Sequence, residues 1–159
     1  MEQLSLFPLP YKYIIDASSI FSQKSDEPNR RSVFKGLWKN IDEYIKEQVI
    51  VTCSEIESEI KDKELLKWLH QQQCNILPIT DEIQANVRKI VNEHPGLIDF
   101  SQCKSSGDAF LIATAMEYGL TVITEEKKNA SKKIPAICKT YNIPCVNITE
   151  LCTEENWEF

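Results

Sequence analysis

The runs Tyr13–Ile15, Val49–Thr52 and Thr121–Thr124 are apolar or β-branched at every position, and helical patterns lie between them. A strand with one wet face would alternate apolar with polar residues. These do not alternate, so both faces must be covered. Strands of that kind, joined by helices, build a parallel sheet between helical layers. The expected fold is therefore α/β, a three-layer α/β/α sandwich with a central parallel sheet. At 159 residues, 42% of them hydrophobic, the chain can fill one sizeable core, so one domain over residues 1–159 is expected.

The elements read as follows. The first strand covers about Lys12 to Ile15, and a helix follows near Arg30 to Glu47. Val33, Leu37, Ile41 and Ile45 recur at every fourth position of that helix, on one face. Val49–Thr52 is the second strand. Ser54 then caps a helix to about His70, with Glu57 as a capping-box acid. Asn75–Leu77 is a short third strand, and Asp81–Glu93 a helix capped by Thr80. Ser105 caps the next helix, which ends near Gly119. That helix is apolar nearly all round, so it must be central and buried. Thr121–Thr124 is the fourth strand, Ile134–Tyr141 a short helix, and Cys145–Asn147 the last strand. Tyr13 and Trp38 read as core residues rather than stacking platforms.

Several function classes are excluded early. The glycines are Gly36, Gly96, Gly107 and Gly119, and no G-x-G-x-x-G or Walker loop can be written with them. No apolar run reaches the ~18 residues of a membrane helix. The start, MEQLSLFPLP, has neither the basic region nor the apolar stretch of a secretory signal. A soluble, cytoplasmic protein is expected. Cys53, Cys74, Cys103, Cys138, Cys145 and Cys152 form no C-x-x-C, and the histidines are His70 and His94. An ordinary zinc site is therefore disfavoured, and buried free thiols in a reducing compartment are expected. The net charge of −6 argues against a phosphate-coated partner. The distribution softens this: Lys127, Lys128, Lys132 and Lys133 crowd one segment, and Arg30, Arg31, Lys35 and Lys39 another. Glu154, Glu155 and Glu158 gather at the C-terminus. Lysine clusters are usually just a solvated face.

Acids stand at the places where such folds bind ligands, beyond the carboxyl ends of the strands. Asp16 ends the first strand. Glu59, in "TCSEIESEI", lies in the helix after the second. Asp108, in "SSGDAFLIATA", is in the first turn of the apolar helix. Glu125 and Glu126, in "TVITEEKK", follow the fourth strand. Each has an ordinary explanation: Asp16 as the cap of a short helix at Ala17–Ile20, Asp108 as the partner of Ser105 in a capping box, Glu59 as a solvated helix residue, Glu125 and Glu126 as partners of the lysines behind them. Together they read differently. Carboxylates converging on one low-dielectric edge repel, unless some are protonated or a cation sits among them. Hard oxygen donors suit Mg²⁺ or Mn²⁺.

Four segments, in order, resemble the PIN domain, a metal-dependent nuclease fold: "IIDASSI", "SEIESEI", "GDAFLIATA" and "VITEE". The tail "EEKKNASKKIPAICKTYNIPCVNI" also looks like a PIN-like group of single-domain proteins. The likeness runs from about Tyr11 to Leu151. Carried over position by position, it selects Asp16, Glu59, Asp108 and Glu126 as catalytic acids. Ser18 falls where the family has a hydroxyl or amide side chain inside the acidic site. Glu55 competes with Glu59, and Glu125 with Glu126. The fourth acid is Glu where most of the family has Asp, which gives it a longer reach.

The resemblance implies metal-dependent hydrolysis of RNA phosphodiesters. Asp16, Asp108 and Glu126 would hold Mg²⁺ or Mn²⁺, Glu59 would orient or deprotonate water, and Lys127, Lys128, Lys132 and Lys133 would bracket the RNA backbone. It implies a toxin of a toxin–antitoxin pair, with a cognate antitoxin as partner and a homodimer as assembly. A non-toxin RNA-processing nuclease and an inactive PIN-like scaffold are the alternatives. Phosphatase and receiver folds fit poorly: Asp16-Ala17-Ser18 is not D-x-D, and the third strand ends in Pro78 rather than an acceptor Asp.

Overall fold

The computed structural model describes residues 9–95, 107–127 and 133–159. Five strands, β1 (Tyr13–Ile15), β2 (Ile50–Cys53), β3 (Ile76–Leu77), β4 (Thr121–Ile123) and β5 (Cys145–Val146), form one sheet in the order β3-β2-β1-β4-β5. Every pairing is parallel. The described helices are α1 (Ala17–Phe21), α2 (Lys35–Lys46), α3 (Ser54–Glu59), α4 (Lys63–Gln71), α5 (Asp81–Glu93), α6 (Gly107–Tyr118), α7 (Ile134–Thr140) and α8 (Ile148–Glu154). The α/β fold with a parallel central sheet is the one the unalternating strands require.

Side chains of the sheet feed two cores. Ile14, Val51 and Val122 face α3, α5, α6 and α7, while Tyr13, Ile15, Ile50 and Ile123 face α1, α2, α4 and α8. Both cores are closed by buried apolar side chains, so burial drives both layers onto the sheet. α6 runs through the first core with Ala109, Leu111, Ile112, Ala113 and Ala115 buried. Gly119, which follows it, has φ +66, the left-handed conformation that stops a helix without Cβ strain.

The structure departs from the pattern reading in places. The helix expected over Ser54–His70 is two helices, broken at Ile60–Asp62. Asp62 caps the second by accepting from Leu65 N–H at 3.0 Å. Glu57 is no capping-box acid; its carboxylate meets His70 Nε2 at 2.7 Å. α2 begins at Lys35 rather than Arg30, so Val33 lies outside it and is exposed, and Trp38 joins Leu37, Ile41 and Ile45 on the buried face. Arg31 takes a structural role. It forms a two-bond pair with Asp42 and stacks near the rings of Trp38 and Trp68. The pattern reading did not include α8, although Asn147 and Glu150 build a complete capping box there. Ser105, expected to cap α6, lies outside the described residues. Among the described residues no helix is long and apolar enough to cross a membrane.

The chain lays β1, β2 and β3 outward in one direction, then returns to place β4 and β5 on the other side of β1. The sheet order therefore reverses between β1 and β4, and the carboxyl ends of these two strands flank the crevice where parallel sheets take ligands.

Candidate active site

Asp16 is the first residue beyond β1. Its backbone N–H donates to Ile123 O of β4 at 2.9 Å, which fixes it at the crevice. The side chain is 3% exposed. One oxygen, Oδ1, accepts from Ala17 N–H at 2.8 Å and so caps α1. The other, Oδ2, accepts from Ser18 Oγ at 2.7 Å and Thr124 Oγ1 at 2.9 Å. Burial pushes the Asp16 carboxyl above its usual range, and these hydrogen bonds to the charged form pull against it. The ordinary role as a helix cap and membership of the acid cluster thus coexist in one side chain.

Thr124 and Ser18 extend this network. Their hydroxyls lie 3.2 Å apart, Ser18 Oγ accepts from Glu125 N–H at 3.1 Å, and Thr124 Oγ1 accepts from Glu126 N–H at 3.2 Å. The two hydroxyls therefore fix both the Asp16 carboxylate and the backbone that carries Glu126. Thr124 is not among the candidate site residues read from the sequence; it directly follows β4, and its signal is the Thr-x-Glu run Thr124–Glu126.

The acids Glu125 and Glu126 separate by partner. Glu125 accepts from Asn29 Nδ2 at 3.0 Å and from Ile148 N–H at 2.9 Å, tying the α1–α2 loop to the start of α8. Glu126 turns toward the other acids and accepts from Ile134 N–H, at the start of α7, at 3.0 Å. Glu59, the last residue of α3, lies against the first turn of α6. A Cβ on Gly107 would fall 2.1 Å from its Oε1, and the Gly107 N–H donates to it. Burial raises the Glu59 carboxyl, followed by the charge of Asp16, and Gly107 opposes both. Glu55 adds to the field on Glu59 from the preceding turn of α3.

Asp108 sits one residue into α6. Burial, then the charges of Asp16, Glu126 and Glu59, push it up to about 8, and Lys133 pulls the other way. The four acids come from four places along the chain, yet Glu59 feels the charges of Asp16 and Glu126, and Asp108 those of Asp16, Glu126 and Glu59. Lys127 and Lys133 are exposed on the flank; Lys128 and Lys132 lie outside the described residues.

This donor set consists of hard carboxylate oxygens whose mutual repulsion a divalent cation would relieve. Among the described residues no three His, Cys, Asp or Glu side chains are arranged to close on one ion as they stand. Asp16 instead gives its oxygens to Ala17, Ser18 and Thr124, and Glu126 gives one to Ile134. Mg²⁺ does not need a full protein cage, since it keeps several waters and uses one or two carboxylates. The residues present fit such an ion.

Residues 13–159 match a family model described as "Domain of unknown function (DUF4411)". The chain belongs to this family. No curated protein matches the DUF4411 chain significantly. Solved structures do resemble it. FitAcB from Neisseria gonorrhoeae superposes with a TM-score of 0.52 at 18% identity, covering 86% of this chain and 98% of that one. PAE2754 from Pyrobaculum aerophilum gives 0.52 at 13% identity, covering 95% and 93%. VapBC2 from Rickettsia felis, described as bound to a DNA fragment from their promoter, gives 0.52 at 16% identity, covering 85% and 97%. At these identities the likeness concerns the fold, and the fold of this DUF4411 chain is PIN-like.

Proposed function

We propose that this DUF4411 protein is a divalent-metal-dependent nuclease that hydrolyses RNA phosphodiesters. The observation that carries the reading is the convergence of Asp16 beyond β1, Glu126 beyond β4, Glu59 at the end of α3 and Asp108 in the first turn of α6 at the switch point of the sheet, where burial and the other three charges raise Asp108. Carboxylates gathered and perturbed in this way in a crevice are characteristic of functional sites.

Asp16, Asp108 and Glu126 are the residues that would hold Mg²⁺ or Mn²⁺. When bound, the ion supplies charge neutralisation for the anionic phosphodiester and a lower pKa for the attacking water. The chain's own contributions are distinct. Ser18 and Thr124 hold the Asp16 carboxylate in one orientation. Glu59, aimed by the Gly107 N–H, is placed to orient the attacking water and accept its proton, and its raised carboxyl makes it a better base than a free glutamate. Lys133, whose charge reaches Asp108, and the exposed Lys127 would meet the phosphate backbone.

The toxin role, the antitoxin partner and the homodimer follow from the PIN resemblance. An RNA-processing nuclease has the same site chemistry. Cleavage of single-stranded RNA with Mg²⁺ or Mn²⁺, measured beside Asp16→Asn and Asp108→Asn, tests the chemistry. Loss in both variants supports it, and full activity in both ends it. Manganese binding separates the nuclease from an inactive scaffold, which has no use for the ion.

A further inference from the structure

On its α1 side the acid cluster opens into a cleft of about 550 Å³ between α1, the loop after it, the Ile60–Asp62 break and the start of α4. Ser18, Glu59 and Glu125 line the cleft as well as belonging to the acidic region, so whatever fills it lies against the acids. Its floor is apolar, with Ile20 and Leu65 buried beneath it. Phe21, on the wall, keeps 47% of its surface in solvent although Ile20 beside it is fully buried. Lys24 reaches over the Phe21 ring and pairs with Asp62, forming one rim.

Most rim acids are already engaged. Glu125 accepts from Asn29 and Ile148, Asp62 from Leu65 and Lys24, and Glu59 from Gly107. Glu27 is different. Its backbone carbonyl accepts from Arg30, while its half-buried carboxylate makes no hydrogen bond or ion pair with any described residue. The cleft therefore offers an apolar floor, an exposed aromatic ring and one open carboxylate acceptor.

That combination decides the chemistry of the occupant. Four acids, Glu27, Glu59, Glu125 and Asp62, outnumber Lys61 and the Lys24 paired with Asp62, so the cleft is net negative and repels a phosphate. Phe21, with Lys24 over its ring, and the Glu27 carboxylate suit a flat neutral ring with N–H donors along one edge. We propose that the cleft is a base subsite for an unpaired nucleobase of the strand that reaches the acids, and that it favours guanine. Guanine presents two adjacent N–H donors to a single carboxylate. Uracil presents one N–H flanked by two carbonyls that face the charge unfavourably. The assignment rests on the nuclease reading, because the strand must be the substrate of the neighbouring acids.

The test measures binding apart from cleavage. Labelled UUGUU and UUUUU pentaribonucleotides are titrated into the Asp108→Asn protein in EDTA, with fluorescence anisotropy as the readout and circular dichroism melting as the fold control. UUGUU is expected to bind at least about fivefold more tightly than UUUUU. Glu27→Gln removes that preference with the melting curve unchanged, and Phe21→Ala weakens both strands. Equal affinity for the two strands, or a preference that survives Glu27→Gln, overturns the proposal. So does a cleft that ignores both strands and instead supports a dimer lost in Phe21→Ala, seen by sedimentation. A wild-type protein that fails to cleave RNA with Mg²⁺ or Mn²⁺ while the preference stands defeats the nuclease reading and reduces the assignment to guanine binding in the cleft.

Discussion

Glu59 and Gly107 occupy one position between them: a Cβ on Gly107 would lie 2.1 Å from Glu59 Oε1 and 2.8 Å from its Oε2. The glycine lets the carboxylate rest on the first turn of α6, beside Asp108. Gly107→Ala must push Glu59 away, while the alanine itself is a better helix former than glycine. We expect cleavage to fall by about 10²-fold, the scale of a misplaced general base, with melting changed by only a few degrees. In a Glu59→Gln background the same substitution should cost little more, because both changes remove one function. Additive losses in the double variant would show that Gly107 acts elsewhere.

Asp16→Asn and Asp108→Asn should each lower cleavage by at least about 10²-fold, since each removes charge from the cluster. Their effects on stability differ. Asn at 16 keeps an oxygen for the Ala17 N–H, but its amide must be accommodated by the Ser18 and Thr124 hydroxyls, now as acceptors, so a modest loss is expected. Asn at 108 removes a repelling charge, so in EDTA at pH 8 it should melt at or above wild type. Mn²⁺ should raise the melting temperature of wild type and not that of either variant. An equal manganese shift in all three proteins would place the ion outside this cluster.

The fold was legible because burial on both faces leaves no polar alternation to write. β1, β2 and β4 could only be central parallel strands, and Thr80, Asp81 and Gly119 marked helix ends by local hydrogen-bond and backbone chemistry. Val33 misled because its spacing continues the α2 stripe, yet the chain before Lys35 is needed for turns that set Asn29 beside Glu125 and Arg31 against Asp42. The break at Ile60–Asp62 has a local mark, the Asp62 cap on Leu65 N–H, but the separation of α3 into one core and α4 into the other comes from packing. In the site, strand ends announced Asp16 and Glu126, since position along a strand fixes which edge a residue reaches. The choice between Glu125 and Glu126 was invisible: adjacent residues differ only in direction, and the direction comes from Asn29 and the α8 N-terminus, far away in sequence.

Glu155 should matter to stability and not to cleavage. Its Oε2 accepts from Lys12 and from Tyr13 OH at 2.5 Å, and its Oε1 from Tyr44 OH at 2.5 Å. Tyr13 opens β1 and Asp16 follows its end, so this cluster is anchored at the opposite end of β1 from the acids. Glu155→Ala leaves the hydroxyl of a fully buried tyrosine without its acceptor, a loss of about 1–3 kcal/mol. Tyr13→Phe in the same background should recover part of it, as the orphaned hydroxyl goes with the substitution. Urea unfolding of the two variants and an RNA cleavage assay check this. A fall in cleavage without a fall in stability would contradict it.

Stability of the metal-free protein should decrease as pH rises, and the cluster sets the window. Asp108 titrates at about 8 in the folded chain and near 3.8 when unfolded. Between those values the folded state holds a proton that the unfolded state has lost, so unfolding free energy falls with pH. Burial raises Asp16 and Glu59 as well, in the same direction. Asp62 moves the opposite way, held below its usual range by Lys24, so the whole-protein slope is a sum and the difference from Asp108→Asn is the informative quantity. In EDTA, wild type should lose melting temperature relative to Asp108→Asn as pH goes from 5 to 8. Adding Mn²⁺ at about 100 times its Kd should then stabilise wild type at pH 8 by about 2.7 kcal/mol. At pH 5 the same addition should do much less, because protons already occupy the acids the ion needs. A wild-type melting temperature that tracks Asp108→Asn across the whole range would mean that Asp108 loses its proton well below 8, and that the four carboxylates do not share a field.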